Sequence, residues 1–469
     1  MTTIFKATRV ATLAAAVVVM AAGAGIDTSA AQPAAAGKTA SWTPAGWGGG
    51  GLYWAAVFHP TNPDVIYMGG DVAGVYKTED AGKHWRLINN GLTNYAVYSL
   101  AIAPSDPQTV YAGTTNGLCK TTDGGASWAL LPGTQRAKLG ITAERNKSVR
   151  AIAVDPTDSR IVYAGTPKGK IFRSGDGGQT WKEQYTLPTA GSIAAVAIAA
   201  RRPSTVFAAT SVGGIVRSTD GGAAWQSLET PKDAYGVTVA PSDPNIVYAA
   251  FDKEGLQKSV DGGKSWAPVG VGIDPKARII EVVVAPKDPL QVSAIASAGW
   301  SGRFYASRDG GKTWAASRVM RRDPSANPTL PEEAKDIEIS KPTNLAISPT
   351  NPSRLFIAAN WRTCLSDDGG KTWEERDRGA DISVVYDVRF SGARTYASAM
   401  DEGVLASDDG GKSWNQLWPR KYDATISGHF WRLGISNRNG VDRIVSTSSP
   451  WDKPGDLTVT SDDGGKTIA

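Results

Sequence analysis

"SDDGGKTW", Ser366 to Trp373, holds two adjacent carboxylates, two glycines, a lysine, a hydroxyl and an indole in eight residues, and it reads at first like a reactive site. The same pattern occurs nine times along the chain, the last copy with Ile in place of Trp, around Asp80, Asp123, Asp176, Asp220, Asp261, Asp309, Asp368, Asp409 and Asp463. These aspartates are 41 to 59 residues apart, the length of a blade or solenoid unit. A reactive site is not copied nine times. The box is therefore an element of fold.

The fifth repeat, the shortest, shows what each unit contains. "YGVTVAP", "NIVYAAF" and "GLQKSV" are short β-branched or aromatic runs separated by the turn signals "SDP" and "DKEG", and after the Asp261 box comes "SWAPVG". These are four antiparallel strands, A to D, with the box spanning the C to D turn. There its glycines can adopt positive φ, its hydroxyl and carboxylate can bond the turn backbone, and its Trp can pack between sheets. Such a unit is a β-propeller blade. The expectation is an all-β fold: one β-propeller of four-stranded blades over residues 40–469, nine repeats counted. The last repeat lacks a D strand, and "SWTP" at Ser41 to Pro44 resembles one, so that N-terminal segment is expected to complete the ninth blade and close the ring. A piece of a longer tandem propeller is the competing explanation.

Composition narrows the function. The chain has 469 residues, 41% hydrophobic, with a formal charge of +5 that becomes +4 once Lys6, Arg9 and Asp27 of the first thirty-one residues are left out. Its Lys and Arg are scattered, so there is no electrostatic case for nucleic acid. Lys6 and Arg9, an apolar stretch from Val10 to Ile26 and then Ser29-Ala30-Ala31 read as a signal peptide over residues 1–31, followed by a short linker at 32–39. The expected product is a secreted or periplasmic monomer with no stable membrane span after processing. A calcium loop is the rival reading of the box, but its spacing and missing terminal Glu are not those of an EF-hand. His59, His84 and His429 are dispersed, so neither metal nor other cofactor is expected. Cys119 and Cys364 occupy core positions before the second and seventh boxes, nearly opposite each other in any closed ring, and no disulfide is expected between them.

Strand parity then separates two faces. The A to B turns and the boxes share one face; the B to C and D to A connections share the other. Eight of the sixteen tryptophans belong to boxes and Trp42 to the closing strand, while Trp47, Trp54, Trp300, Trp361, Trp418, Trp431 and Trp451 all fall toward the box-free face. The long connections "RVMRRDPSANPTLPEEAKD" and "LWPRKYDATISGHFW" lie there too, with Asp71, Asp252, Asp401, Glu402 and Asp452 in B to C turns. Indoles mixed with carboxylates suit a polysaccharide, whose ring faces stack while its hydroxyls bond acids. Trp54, Trp300, Trp361, Trp418, Trp431 and Trp451 are the candidate sugar contacts. The bland reading is that some of them plug loops against blades.

The nine boxes are similar to the Asp-box (BNR) repeats of sialidases, xyloglucanases, sortilin-type receptors and photosystem II assembly factors. The opening, "WGGGG", "LYWAAVFHP" and "TNPDVIYMGGDVAGVYKT", resembles that of the two-propeller xyloglucanases. That resemblance implies a glycoside hydrolase in which Asp71 is a catalytic carboxylate, although Ala73 replaces a family glycine and the family's second propeller is missing. The partner acid would come from Asp452, Asp401 or Glu402. No sialidase arginine triad is evident. The other resemblances imply a non-catalytic propeller that binds a protein partner or serves envelope or complex assembly.

Overall fold

In the computed structural model, the structure describes residues 51–142, 151–299, 301–322, 336–380, 384–400, 403–418, 429–449 and 457–467. Among these, nine sheets follow one another along the chain, seven of four strands, one of six and one of three, one for each repeat and each with an antiparallel A to C core. In blade 1 the strands are Tyr53–Phe58, Ile66–Gly70, Gly74–Thr78 and Arg86–Leu87. The B strands of blades 1, 4, 5 and 7 are buried at every residue, since each sheet packs on both of its faces; this is why they read as continuous apolar runs.

Each box is a closed local network. The hydroxyl two residues before the Asp donates to one carboxylate oxygen in all nine copies. The same hydroxyl accepts the amide two residues after the Asp. The amide four residues after the Asp donates to the carboxylate. Boxes also bond outward. Tyr67, Tyr163 and Tyr248 donate their hydroxyls to box-glycine carbonyls of the following blade (Gly124, Gly221 and Gly310, at 3.0, 2.7 and 2.8 Å), and Lys120 and Lys258 donate to Gly177 and Gly310 at 3.2 and 2.7 Å. The box is thus both a turn and a docking point between blades.

These bonds make the fold acid-sensitive. Asp123, Asp176, Asp309 and Asp409 are held down to about 2, first by the hydroxyl four residues on and then by neighbouring donors. A carboxylate depressed in the folded state contributes stability above its unfolded value of roughly 3.9, and that contribution disappears as pH falls toward the folded value. Urea unfolding between pH 7 and 2 should give a near-constant midpoint down to about pH 4.5 and a steep decline between roughly 4 and 2.

The ring closes differently from the expectation. The innermost strands of blades 1 to 7 touch in succession, and the seventh, Pro342–Ile347, packs back on the first, Tyr53–Phe58. One core cluster joins Tyr53, Phe58, Met68, Tyr76 and Trp85 of blade 1 to Phe356, Ala358 and Leu365 of blade 7. The bonding matches an ordinary blade-to-blade contact: Trp128 Nε1 of blade 2 donates to the carbonyl of Ile88 in blade 1 at 2.7 Å, and Trp85 Nε1 of blade 1 donates to that of Arg376 in blade 7 at 2.6 Å. Arg354 of blade 7 adds an ion pair to Asp64 of blade 1. Blades 8 and 9 pack on each other, strand Val385–Ser391 against strand His429–Arg438, over Tyr396, Leu417, Trp418, Phe430 and Leu433. The all-β class and the nine repeats stand, but the cycle contains seven of them. Counting boxes cannot tell which blade meets the first. Ser41 to Pro44, assigned to ring closure from sequence, lies outside the described residues.

Two smaller differences follow. Cys119 and Cys364 are buried and not disulfide-bonded, but in a cycle of seven their blades, 2 and 7, are separated only by blade 1; what keeps them apart is that each sits inside its own core cluster. The connection after Arg318 is not all loop: Met320–Arg322 and Asp336–Glu338 form a hairpin, and Arg321 pairs in parallel with Trp373, extending blade 7 to six strands.

Candidate functional site

Hydrogen bonds fix the two faces. Box amides donate to A to B turns of their own blades, Ala81 to Asp64 and Gly369 to Ser353 at 2.9 Å each, while B to C turns donate to D to A connections, Gly74 to Tyr95 at 2.8 Å and Asn360 to Lys341 at 3.2 Å. Asp71 follows the B strand of blade 1 and is on the box-free face. Its amide donates to the Leu52 carbonyl at 3.0 Å, and its Oδ1 accepts the Leu52 amide at 3.5 Å. The turn is held from behind by Asn89, whose side chain bonds the Ala73 carbonyl at 2.6 Å and the Val75 amide at 2.8 Å. Ala73 is therefore accommodated where the resemblance leads one to expect glycine.

The segment beside Asp71 also holds a tryptophan from blade 7. Leu52 pairs with Asn360 of blade 7, and the Trp361 amide donates to the Gly51 carbonyl at 2.8 Å. Gly51 and Leu52 thus tie Asp71 and Trp361 to the same seam between blades 7 and 1. Trp361 has a left-handed backbone, φ 68°, and is 41% exposed. That conformation is uncommon for a bulky residue. It is held by Arg362, which is largely buried and pairs at 3.6 Å with both Glu375 and Asp377.

The other candidates separate. Trp54 is half-buried, lies 5.2 Å from Tyr98 and lines a cavity at the axis of the ring. Trp418, a candidate sugar contact by strand parity, is buried in the core between blades 8 and 9, which corrects that expectation: it plugs the contact between them. Trp431 is half-buried, 4.7 Å from Tyr386, with its indole N–H donated to Ser449 Oγ at 2.8 Å, so it too is engaged between those blades. Trp300, Trp451, Asp401, Glu402 and Asp452 lie outside the described residues.

The axial cavity, about 570 Å³, is lined by box-free ends of blades 1 and 3 to 7 and contains Asp233, Tyr235, Asp252, Arg278 and Lys341. Only Asp252 stood out in the sequence, because it follows the B strand of blade 5 as Asp71 follows that of blade 1. The others lie at or just before the starts of A strands, a register position that could have been searched.

Comparison with known proteins adds the family context. The family described as photosynthesis system II assembly factor YCF48 matches residues 92–239. A xyloglucanase, Xgh74A of Acetivibrio thermocellus, is 31% identical over 163 residues, covering 31% of this chain and 19% of that protein. This is an Asp-box propeller, similar over about a third of its length to the xyloglucanases. The propeller is also 29% identical over 164 residues to the xyloglucanase of Hypocrea jecorina, again over 31% of this chain and 19% of that one. Its matched region therefore spans about a fifth of the curated relatives. Among solved structures, a GH74 enzyme of Niastella koreensis superposes with a TM-score of 0.75 at 19% identity, over 91% of this chain and 67% of that one. The GH74 xyloglucanase of Xanthomonas campestris gives 0.73 at 19% identity, over 92% and 68%. At that identity the superpositions speak for the fold.

Proposed function

We propose that this propeller is an exported polysaccharide-binding glycoside hydrolase of xyloglucanase-like type, engaging its substrate on the box-free face at the seam of blades 7 and 1. The observation that carries the reading is that a half-buried carboxylate, Asp71, and an exposed, conformationally strained indole, Trp361, both bond to the short segment Gly51–Leu52 at one seam. Backbone strain held in place by buried ion pairs points to a displayed residue, and a displayed indole is a platform for a sugar ring. Asp71 is assigned the role of general base, activating water opposite the leaving group. The general acid is assigned to Asp452, Asp401 or Glu402, and an inverting reaction would set the two carboxyl groups about 6.5 to 9.5 Å apart. Export is proposed from residues 1–31.

A second reading, a protein-interaction or assembly module, is favoured by the family match over residues 92–239, which contains neither Asp71 nor Trp361. Reducing-end release from a panel of plant and microbial polysaccharides, xyloglucan included, separates the two. Release supports the hydrolase; binding to no glycan supports the module. Trp361 permits a sharper test. Trp361→Gly removes the indole but suits the left-handed backbone, so polysaccharide binding should weaken about tenfold while stability holds or rises by up to about 1 kcal/mol. Unchanged binding would remove the platform from the site.

A further inference from the structure

The axial cavity is a separate feature from the seam. Blades 1 and 7 contribute Trp54 and Lys341 to its walls, but neither Asp71 nor Trp361 lines it and most of the lining comes from blades 3 to 6, and its side chains are organised. Arg278 stacks over the Tyr235 ring with its guanidinium carbon 3.8 Å from the ring centroid, and its Nε donates to Asp252 Oδ1 at 3.3 Å. Held on one face and one edge, the guanidinium keeps its two terminal nitrogens without a partner among the described residues. Asp233 sits beside this pair: its backbone carbonyl accepts the Asp252 amide at 3.3 Å, and its carboxylate has no partner among the described residues. Asp233 and Lys341, at matching positions just before the A strands of blades 5 and 7, both have left-handed backbones, φ 60° and 42°, and both line the cavity. Trp54 supplies a second aromatic wall.

Charge selects the ligand. Among the described residues, two carboxylates, Asp233 and Asp252, face two cations, Arg278 and Lys341, so the formal charge of the described lining is zero and it presents no net field that favours an ion. Closely set donors and acceptors complement a group that does both, and adjacent hydroxyls on a sugar ring do so. Aromatic walls match its apolar faces. The volume falls within the roughly 300–1,000 Å³ of small-molecule sites. We propose that this well is a binding site for one or two neutral sugar residues, a chain end or side branch, distinct from the seam at Asp71 and Trp361. It rests on the reading of the propeller as polysaccharide-binding.

The test uses the full chain and cellobiose, followed by isothermal titration. Saturable binding is expected, weakened tenfold or more by Asp233→Gly and by Arg278→Met. The first substitution suits the left-handed backbone and the second keeps the packing over Tyr235, so thermal midpoints should stay near that of the parent. Glucuronate and glucosamine, which carry charge into a neutral lining, should bind more weakly than cellobiose. Equal cellobiose affinity in parent and both variants, preference for a charged sugar, or no binding by the parent would each overturn the well. Polysaccharide cleavage, read separately through Asp71, keeps the two readings apart. Cleavage without cellobiose binding sinks the well alone, and cellobiose binding without cleavage sinks the hydrolase alone.

Discussion

Asp71→Asn is expected to lower the rate of polysaccharide hydrolysis by about 10²- to 10⁴-fold, the usual contribution of a positioned general base. The substitution isolates chemistry from structure. Asn retains an oxygen to accept the Leu52 amide, which the carboxylate now accepts at 3.5 Å, and the Asp71 backbone bond to Leu52 is untouched. Polysaccharide affinity should therefore stay within about threefold of the parent, because an interaction made only in the transition state appears in kcat and not in ground-state binding. A variant that kept its rate within tenfold would move the base elsewhere. Asp252, which occupies the same register position in blade 5, would then be the first acid to examine.

Trp85→Ala is expected to cost about 3–5 kcal/mol of stability, more than any other box tryptophan outside the closing contact. Trp85 is 3% exposed, its ring centroid lies 5.7 Å from that of Phe356, and its indole N–H donates to the Arg376 carbonyl at 2.6 Å. Its backbone amide also donates to Arg378 at 2.9 Å, beside Gly379. A Cβ at Gly379 would stand 2.5 Å from the Trp85 carbonyl, so blade 7 ends in a residue shaped for blade 1. Truncating the indole opens a cavity at the one place where the ring joins itself. Trp266, half-buried within the series, with its indole N–H donated to Gly263 of its own box at 3.2 Å, is the control and should cost clearly less as Trp266→Ala. Equal losses at the two sites in urea unfolding would argue against closure between blades 7 and 1.

Trp361 and Trp418 show how far a linear reading reaches. Both follow from strand parity as residues of the box-free side, yet one is displayed to solvent and the other is sealed between blades 8 and 9. Parity assigns a face; burial depends on which neighbour arrives. Asp71 was legible because it combines a turn position with a recognisable opening. Asp233, Tyr235, Arg278 and Lys341 were not, because each is an ordinary residue in its own repeat and becomes part of a cavity only when six blades converge on one axis.

Local pattern therefore determined the blade: alternating short strands, a C to D turn made by a hydroxyl, an aspartate and two glycines, and a face carrying the remaining connections. These depend on contacts within about forty residues, whose chemistry is written in order along the chain. Ring size and the axial well were decided by tertiary structure. Closure is one long-range interface, with Trp85 against Phe356 and Arg376 at its centre, made with the same kinds of side chains and bonds as a contact between consecutive blades. Nothing in nine similar repeats marks the seventh as the one that meets the first; packing geometry around the axis selects it.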